Sequence, residues 1–182
     1  MSKISEQDLE KRTEFFSKHL FGIKYTGEIS FVPSTFHDDY TGDEKNENYL
    51  GAFLHHENSW DVDFDDEDYG VPHEYEDEIN LDSKSNIEDC VIEINDKLAD
   101  DVLRLNDVLL HELIHFVLWY QGLDHMDGAK QFEDTLKKYG ISSNYRAKFN
   151  KQKRKWEFDV DIEQMKVYED MYQNYINNMG GN

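Results

Sequence analysis

The chain has 182 residues, the size of one domain, and its 40 acids against 19 bases leave a formal charge of −21 and a pI near 4.6. Such acidity excludes a protein that grips nucleic acid or an anionic membrane over its whole surface. Mean hydropathy is only −0.85, yet Leu, Ile, Val and Phe make up about a quarter of the residues and aromatics 14%, which is above the disordered range and enough for a core.

In chain order, Ser5 is placed to cap a first helix carrying Leu9, Thr13, Phe16 and Leu20 at helical spacing, with Gly22 as its stop. Glu28 to Val32 reads as a strand ended by Pro33, and Tyr49 to Leu54 as another. Trp60 to Asp65 alternates apolar and acidic residues as a half-buried strand would, and 65–90 reads as a mobile acidic loop. Val91 to Asn95 alternates as a strand. A longer helix is expected from about Asn106 to Gln121 with Gly122 as its cap, then one from Gly128 or Ala129 to Tyr139 ending at Gly140. The last helix, 159–178, sets Ile162, Met165, Tyr168, Tyr172, Tyr175 and Met179 on one stripe, the spacing of a core face. These elements predict an α+β fold over 1–182: a small sheet beside a helix containing His111 to His115, with N- and C-terminal helices.

The charge is concentrated. Residues 38–101 hold 23 acids and three bases, a net −20, while the other 118 residues hold 17 acids and 16 bases. A basic stretch at 146–155 carries Arg146, Lys148, Lys151, Lys153, Arg154 and Lys155 with no acid. Interleaved with Tyr145, Phe149 and Trp156, it has the composition of a single-strand nucleic-acid contact, although pairing with the acidic segment or a solvated linker is the simpler reading. Cys90 is the only cysteine, which excludes an internal disulfide and a multi-Cys zinc ribbon. The first residues have no signal-peptide run, and the most apolar stretch, Val108 to Tyr120, is too short and too polar to span a bilayer. A soluble cytoplasmic protein is expected, with no membrane partner.

The chemistry lies in His111-Glu112-Leu113-Ile114-His115, an HExxH pattern inside an apolar helix. Residues four apart share a helical face, so both imidazoles can reach one cation. Zn2+ suits paired neutral imidazoles and leaves a position for water, for which Glu112 is the adjacent general base. Two histidines and a glutamate among Val108, Leu109, Leu110, Ile114 and Val117 are costly unless bonded or metallated. The pattern that would supply a third histidine six residues after His115 fails, because Leu118 and Gln121 stand at its positions. A carboxylate from the next helix, Glu133 or Asp134, or a return of His125 or Asp127 from the loop after Gly122, remains.

HExxH, a break near Gly122 and a His/Asp-Gly turn before Phe132 resemble the SprT-like zinc metallopeptidase domain, related to the Spartan proteases. Gly51 to Phe53 and Ile92 to Asn95 extend the likeness to about residues 48–140. The resemblance implies zinc-dependent hydrolysis of peptide bonds, with substrates that include proteins on DNA. It also implies a third ligand from a His-Gly-x-x-Phe segment. Here Gly128 stands four residues before Phe132 and follows Asp127. His125 is therefore the expected ligand beside His111 and His115, with Asp127 as the first alternative. The family's C-terminal zinc ribbon is absent from this chain.

Two weaker signals remain. Asp61 to Asp68 invites a calcium reading, but Asp66 and Pro72 occupy the positions where an EF-hand needs Gly and Glu. His37 and the pair His55-His56 are further candidate ligands with nothing to fix them at a site. The expected partner is a protein or peptide substrate, favoured to be basic because the acidic segment lies in the same chain. The rival expectation is an acidic partner-binding protein or DNA mimic whose metal site is structural or vestigial.

Overall fold

The computed structural model describes residues 3–33, 50–55, 87–152 and 155–179. Most of the acidic segment lies outside them, including the expected strand at 60–65, the calcium-like run, His37 and His56. The described chain is α+β. Four helices, α1 (Glu6–Phe21), α2 (Val102–Tyr120), α3 (Lys130–Tyr139) and α4 (Ile162–Met179), accompany a three-stranded sheet of β1 (Glu28–Val32), β2 (Gly51–Leu54) and β3 (Val91–Asn95). β3 is central, parallel to β1 and antiparallel to β2, so among the described residues β2 is an edge strand.

Helix ends follow local chemistry. Ser5 accepts from the Asp8 N–H, and Gly22 closes α1 in the left-handed region at φ 73°. α2 begins a turn earlier than the apolar periodicity suggests, because the Asp101 side chain accepts from the Arg104 N–H after a 3-10 turn at Asp96–Asp100. α4 begins later than expected because Asp161 caps it through the Gln164 N–H. Within the basic stretch the chain forms a short antiparallel hairpin, β4 (Lys148–Asn150) and β5 (Lys155–Glu157). Each strand is only three residues long, Lys148-Phe149-Asn150 and Lys155-Trp156-Glu157, and no Gly-containing turn pair stands between them to announce a hairpin.

α2 is the central element. Leu105, Leu109, Leu113 and Phe116 are fully buried, and α2 packs against the sheet and the other three helices. On α4 the middle of the predicted stripe, Met165, Tyr168 and Tyr172, enters the core, while Ile162 and Met179 at its ends are exposed.

A buried polar cluster ties α1, α2 and α4. Arg12, 1% exposed, donates from Nε to Asp8 (2.7 Å), from Nη2 to Glu169 (3.1 Å), and from Nη1 to Glu169 and Asn106 (3.1 Å for Asn106). Asn106 also donates to Glu169, and the Tyr172 hydroxyl donates to Asp8. Every charge of the cluster thus has a partner, the condition under which a buried guanidinium is tolerated. No described helix is long and apolar enough to cross a membrane.

Candidate metal centre

His111 and His115 project from one face of α2, with ring centroids 5.0 Å apart. After α2, Gly122 takes φ 68° and Leu123 N–H returns to the Leu118 carbonyl, which turns the chain back over that face. The returning loop is held by the Met126 N–H bonded to Asp124 Oδ1 and the Ala129 N–H bonded to the Met126 carbonyl. It carries Asp127 to the histidines: Asp127 Oδ1 lies 3.3 Å from His111 Nε2 and 3.7 Å from His115 Nε2. Among the described residues, His111, His115 and Asp127 form a group able to hold a metal ion, their donor atoms all within 4.8 Å of one another.

The donor set fits zinc. Bonds of roughly 2.0–2.1 Å at tetrahedral angles place ligand atoms about 3.3 Å apart, close to the separations found here. The imidazoles are also correctly turned. His111 Nδ1 bonds the Ser142 carbonyl at 3.1 Å, and His115 Nδ1 bonds the His125 carbonyl. A carbonyl only accepts, so each Nδ1 carries the hydrogen and each Nε2 faces the group, the outer-shell arrangement of metal-bound histidines. Asp127 is steadied in turn by Asn144 Nδ2, which donates to its Oδ2 at 3.0 Å. Phe132, fully buried, stacks on His115 at 4.0 Å and meets His111 edge-on, fixing both ring planes.

Glu112 lies beside His111 and borders the same cavity of about 600 Å³, whose opposite wall is β2. β2 comes close because residue 51 is glycine: a Cβ there would lie 2.9 Å from Val108 Cγ1 and 3.1 Å from Glu112 Oε1.

Burial raises the Glu112 carboxyl to about 7, with the Asp127 charge adding to the rise while His111 and the Phe53 backbone oppose it. Burial would depress His111, but the bond to Asp127 and the Glu112 charge outweigh it and hold the imidazole up at about 9. Burial, with the neighbouring His111 charge, lowers His115 to about 4. Burial opposes ionisation of Asp127, but the bond to His111 prevails and keeps its carboxyl below the usual range. The site thus pairs a proton-holding His111 with an ionised Asp127, and keeps His115 neutral and Glu112 poised near neutrality.

Of the expected site residues, His111 and His115 converge and Glu112 joins them at the cavity. Asp127, the first alternative, completes the donor group in the place expected for His125. The His125 ring stays outside that group: it lines the cavity and sits edge-on to His55 at 5.3 Å, while its backbone carbonyl holds His115. Glu133 instead accepts from the Ser143 hydroxyl, and Asp134 pairs with Lys130 on the exposed face. His55 stacks on Trp119 in the cavity wall. The sequence reading missed Asp107, Ser142 and Asn144. An aspartate one turn before the first histidine in an apolar helix was a readable signal, whereas nothing local marked Ser142 or Asn144.

The chain matches no protein-family model, and neither curated proteins nor solved structures gave a match.

Proposed function

We propose that this chain is a zinc-dependent metallopeptidase of the SprT-like kind, held on His111, His115 and Asp127, with Glu112 as its general base. The observation that carries the reading is the convergence of two outward-turned imidazoles and a carboxylate beside a buried glutamate, in a cavity bordered by an edge strand.

A bound zinc ion would supply Lewis acidity and a water acidified to near neutrality. Glu112, with its carboxyl near 7, is suited to take a proton from that water and deliver it to the leaving amine. His111 and His115 supply neutral nitrogen once the His111 proton has left. β2 pairs with β3 on one side, and its other edge offers backbone groups to an extended peptide by strand addition. Phe53, Leu54 and Met126 line the cavity and offer apolar contact area to the side chains of a bound segment. The substrate is a protein or peptide, and the net −20 of residues 38–101 favours basic ones, such as proteins bound to DNA.

The test is metal analysis of the purified chain combined with protease assays of the wild type and Glu112→Gln. We expect near-stoichiometric zinc in both, with cleavage lost in the variant. Zinc-loaded protein that cleaves no peptide, or a variant as active as wild type, rejects the reading. Retained binding to a basic partner without cleavage would instead favour the partner-binding protein.

A further inference from the structure

Resting on the metal-centre reading, we infer that residues 142–144 and Asp107 are a positioning device for two of the three ligands: Asp107 aims His111 through Ser142, and Asn144 aims Asp127. After α3 closes at Gly140, Ile141 is buried and its N–H returns to the Leu136 carbonyl, which delivers the chain against α2. Ser142 and Ser143 follow, only 7% and 1% exposed, although they belong to no helix or strand. Buried loop residues must have their polar groups satisfied, and the way these are satisfied is informative.

All three polar groups of Ser142 are committed to α2. Its N–H donates to Asp107 Oδ1 at 2.9 Å, its hydroxyl donates to Asp107 Oδ2, and its carbonyl accepts from His111 Nδ1. Asp107 is 1% exposed and stands four residues before His111, so the anchor and the ligand lie on one helical face. A buried carboxylate is an expensive way to fill space, and an apolar pair would pack as well. What the carboxylate adds is two bonds to one residue, which fix the orientation of Ser142 and hence the direction of its carbonyl. That carbonyl sets the tautomer and rotation of His111. Ser143 is fastened to α3 through Glu133 at 2.8 Å, and Asn144 then reaches Asp127 Oδ2, turning Oδ1 toward the histidines. Three consecutive residues therefore register α2, α3 and the Asp127 loop against one another at the donor group.

The experiment measures zinc affinity by competition with a chromophoric chelator, alongside the visible spectrum of the cobalt-loaded chain and the melting temperature of the metal-free chain. Asn144→Ala removes an exposed side chain. It should leave the metal-free melting temperature unchanged, lower zinc affinity about 10–100-fold and alter the cobalt spectrum. Asp107→Ala should lower affinity at least as much. Asp107→Asn keeps an acceptor for the Ser142 N–H and should stay within a few-fold of wild type. If Asp107→Ala does not fold, Asn144→Ala and Asp107→Asn still decide. Affinity within twofold of wild type in Asn144→Ala overturns the inference. So does an Asp107→Ala variant that loses metal-free stability but not affinity, or an Asp107→Asn loss that brings affinity well outside a few-fold of wild type. A wild-type chain that takes no zinc rejects the metal-centre reading itself and the inference with it.

Discussion

Gly51→Ala probes the contact that sets the cavity's width. The added Cβ would lie 2.9 Å from Val108 Cγ1, 3.0 Å from the Glu93 carbonyl oxygen and 3.1 Å from Glu112 Oε1. Carbon pairs settle at about 3.5–4.0 Å, so the Val108 contact alone demands roughly 0.6–1 Å of movement. The Glu93 oxygen belongs to the central strand, paired on both sides, and cannot give. The strain therefore falls on β2 and on the Val108–Glu112 turn of α2. Overpacking of this size costs about 1–3 kcal/mol, a fall of roughly 2–12 °C in melting temperature for a chain of this length. A Glu112 displaced by several tenths of an ångström should lower kcat about 10–100-fold, because general-base geometry is unforgiving. Zinc content should persist, since none of the ligands is touched. Calorimetry, metal analysis and a peptide-cleavage assay read the three quantities. A variant with wild-type melting temperature and wild-type kcat would refute the close packing of β2 on α2.

Arg12→Ala should destabilise the chain by about 3–5 kcal/mol, because it leaves Glu169 and Asp8 without their buried partner. A urea midpoint close to wild type would contradict the assigned cluster. The Arg12 and Asn106 bonds also hold the Glu169 carboxyl below its usual range, although burial opposes them. Their contribution is complete above the unfolded carboxylate range and is lost as pH falls through the lower folded value, so acid unfolding of Glu169→Gln should show a shallower pH dependence. Zinc binding must expel the proton that His111 holds up to about 9, whereas His115, lowered to about 4, is already neutral. Apparent zinc affinity should therefore rise about tenfold per pH unit between neutrality and 9 and then level off. A flat profile across that range, measured by chelator competition, would contradict the electrostatic account.

Much of the frame was readable because its signals are local. Ser5, Gly22 and Gly140 bracket helices by capping chemistry, and HExxH places two ligands and a glutamate by helical geometry alone. The start of α2 was misread by a turn because Asp101, its cap, ends an acid-rich stretch in which no single aspartate stands out. The 148–157 hairpin was hard to read because its strands, Lys148-Phe149-Asn150 and Lys155-Trp156-Glu157, are too short for their alternation to stand out and the residues between them are Lys, Gln and Arg with no turn-forming glycine. The choice between Asp127 and His125 depends on how the loop after Gly122 is folded. Ser142 and Asn144 act through contacts with residues 31 and 17 positions away, a relation that no local pattern encodes.

The central claim is most directly tested by a crystal structure of the zinc-loaded chain with anomalous data at the zinc edge. The account predicts one zinc bound by His111 Nε2, His115 Nε2 and an Asp127 carboxylate oxygen, with Glu112 beside it and not coordinating. A zinc held by the His125 ring in place of Asp127, or a His111–His115 pair that binds no metal at saturating zinc, would contradict it.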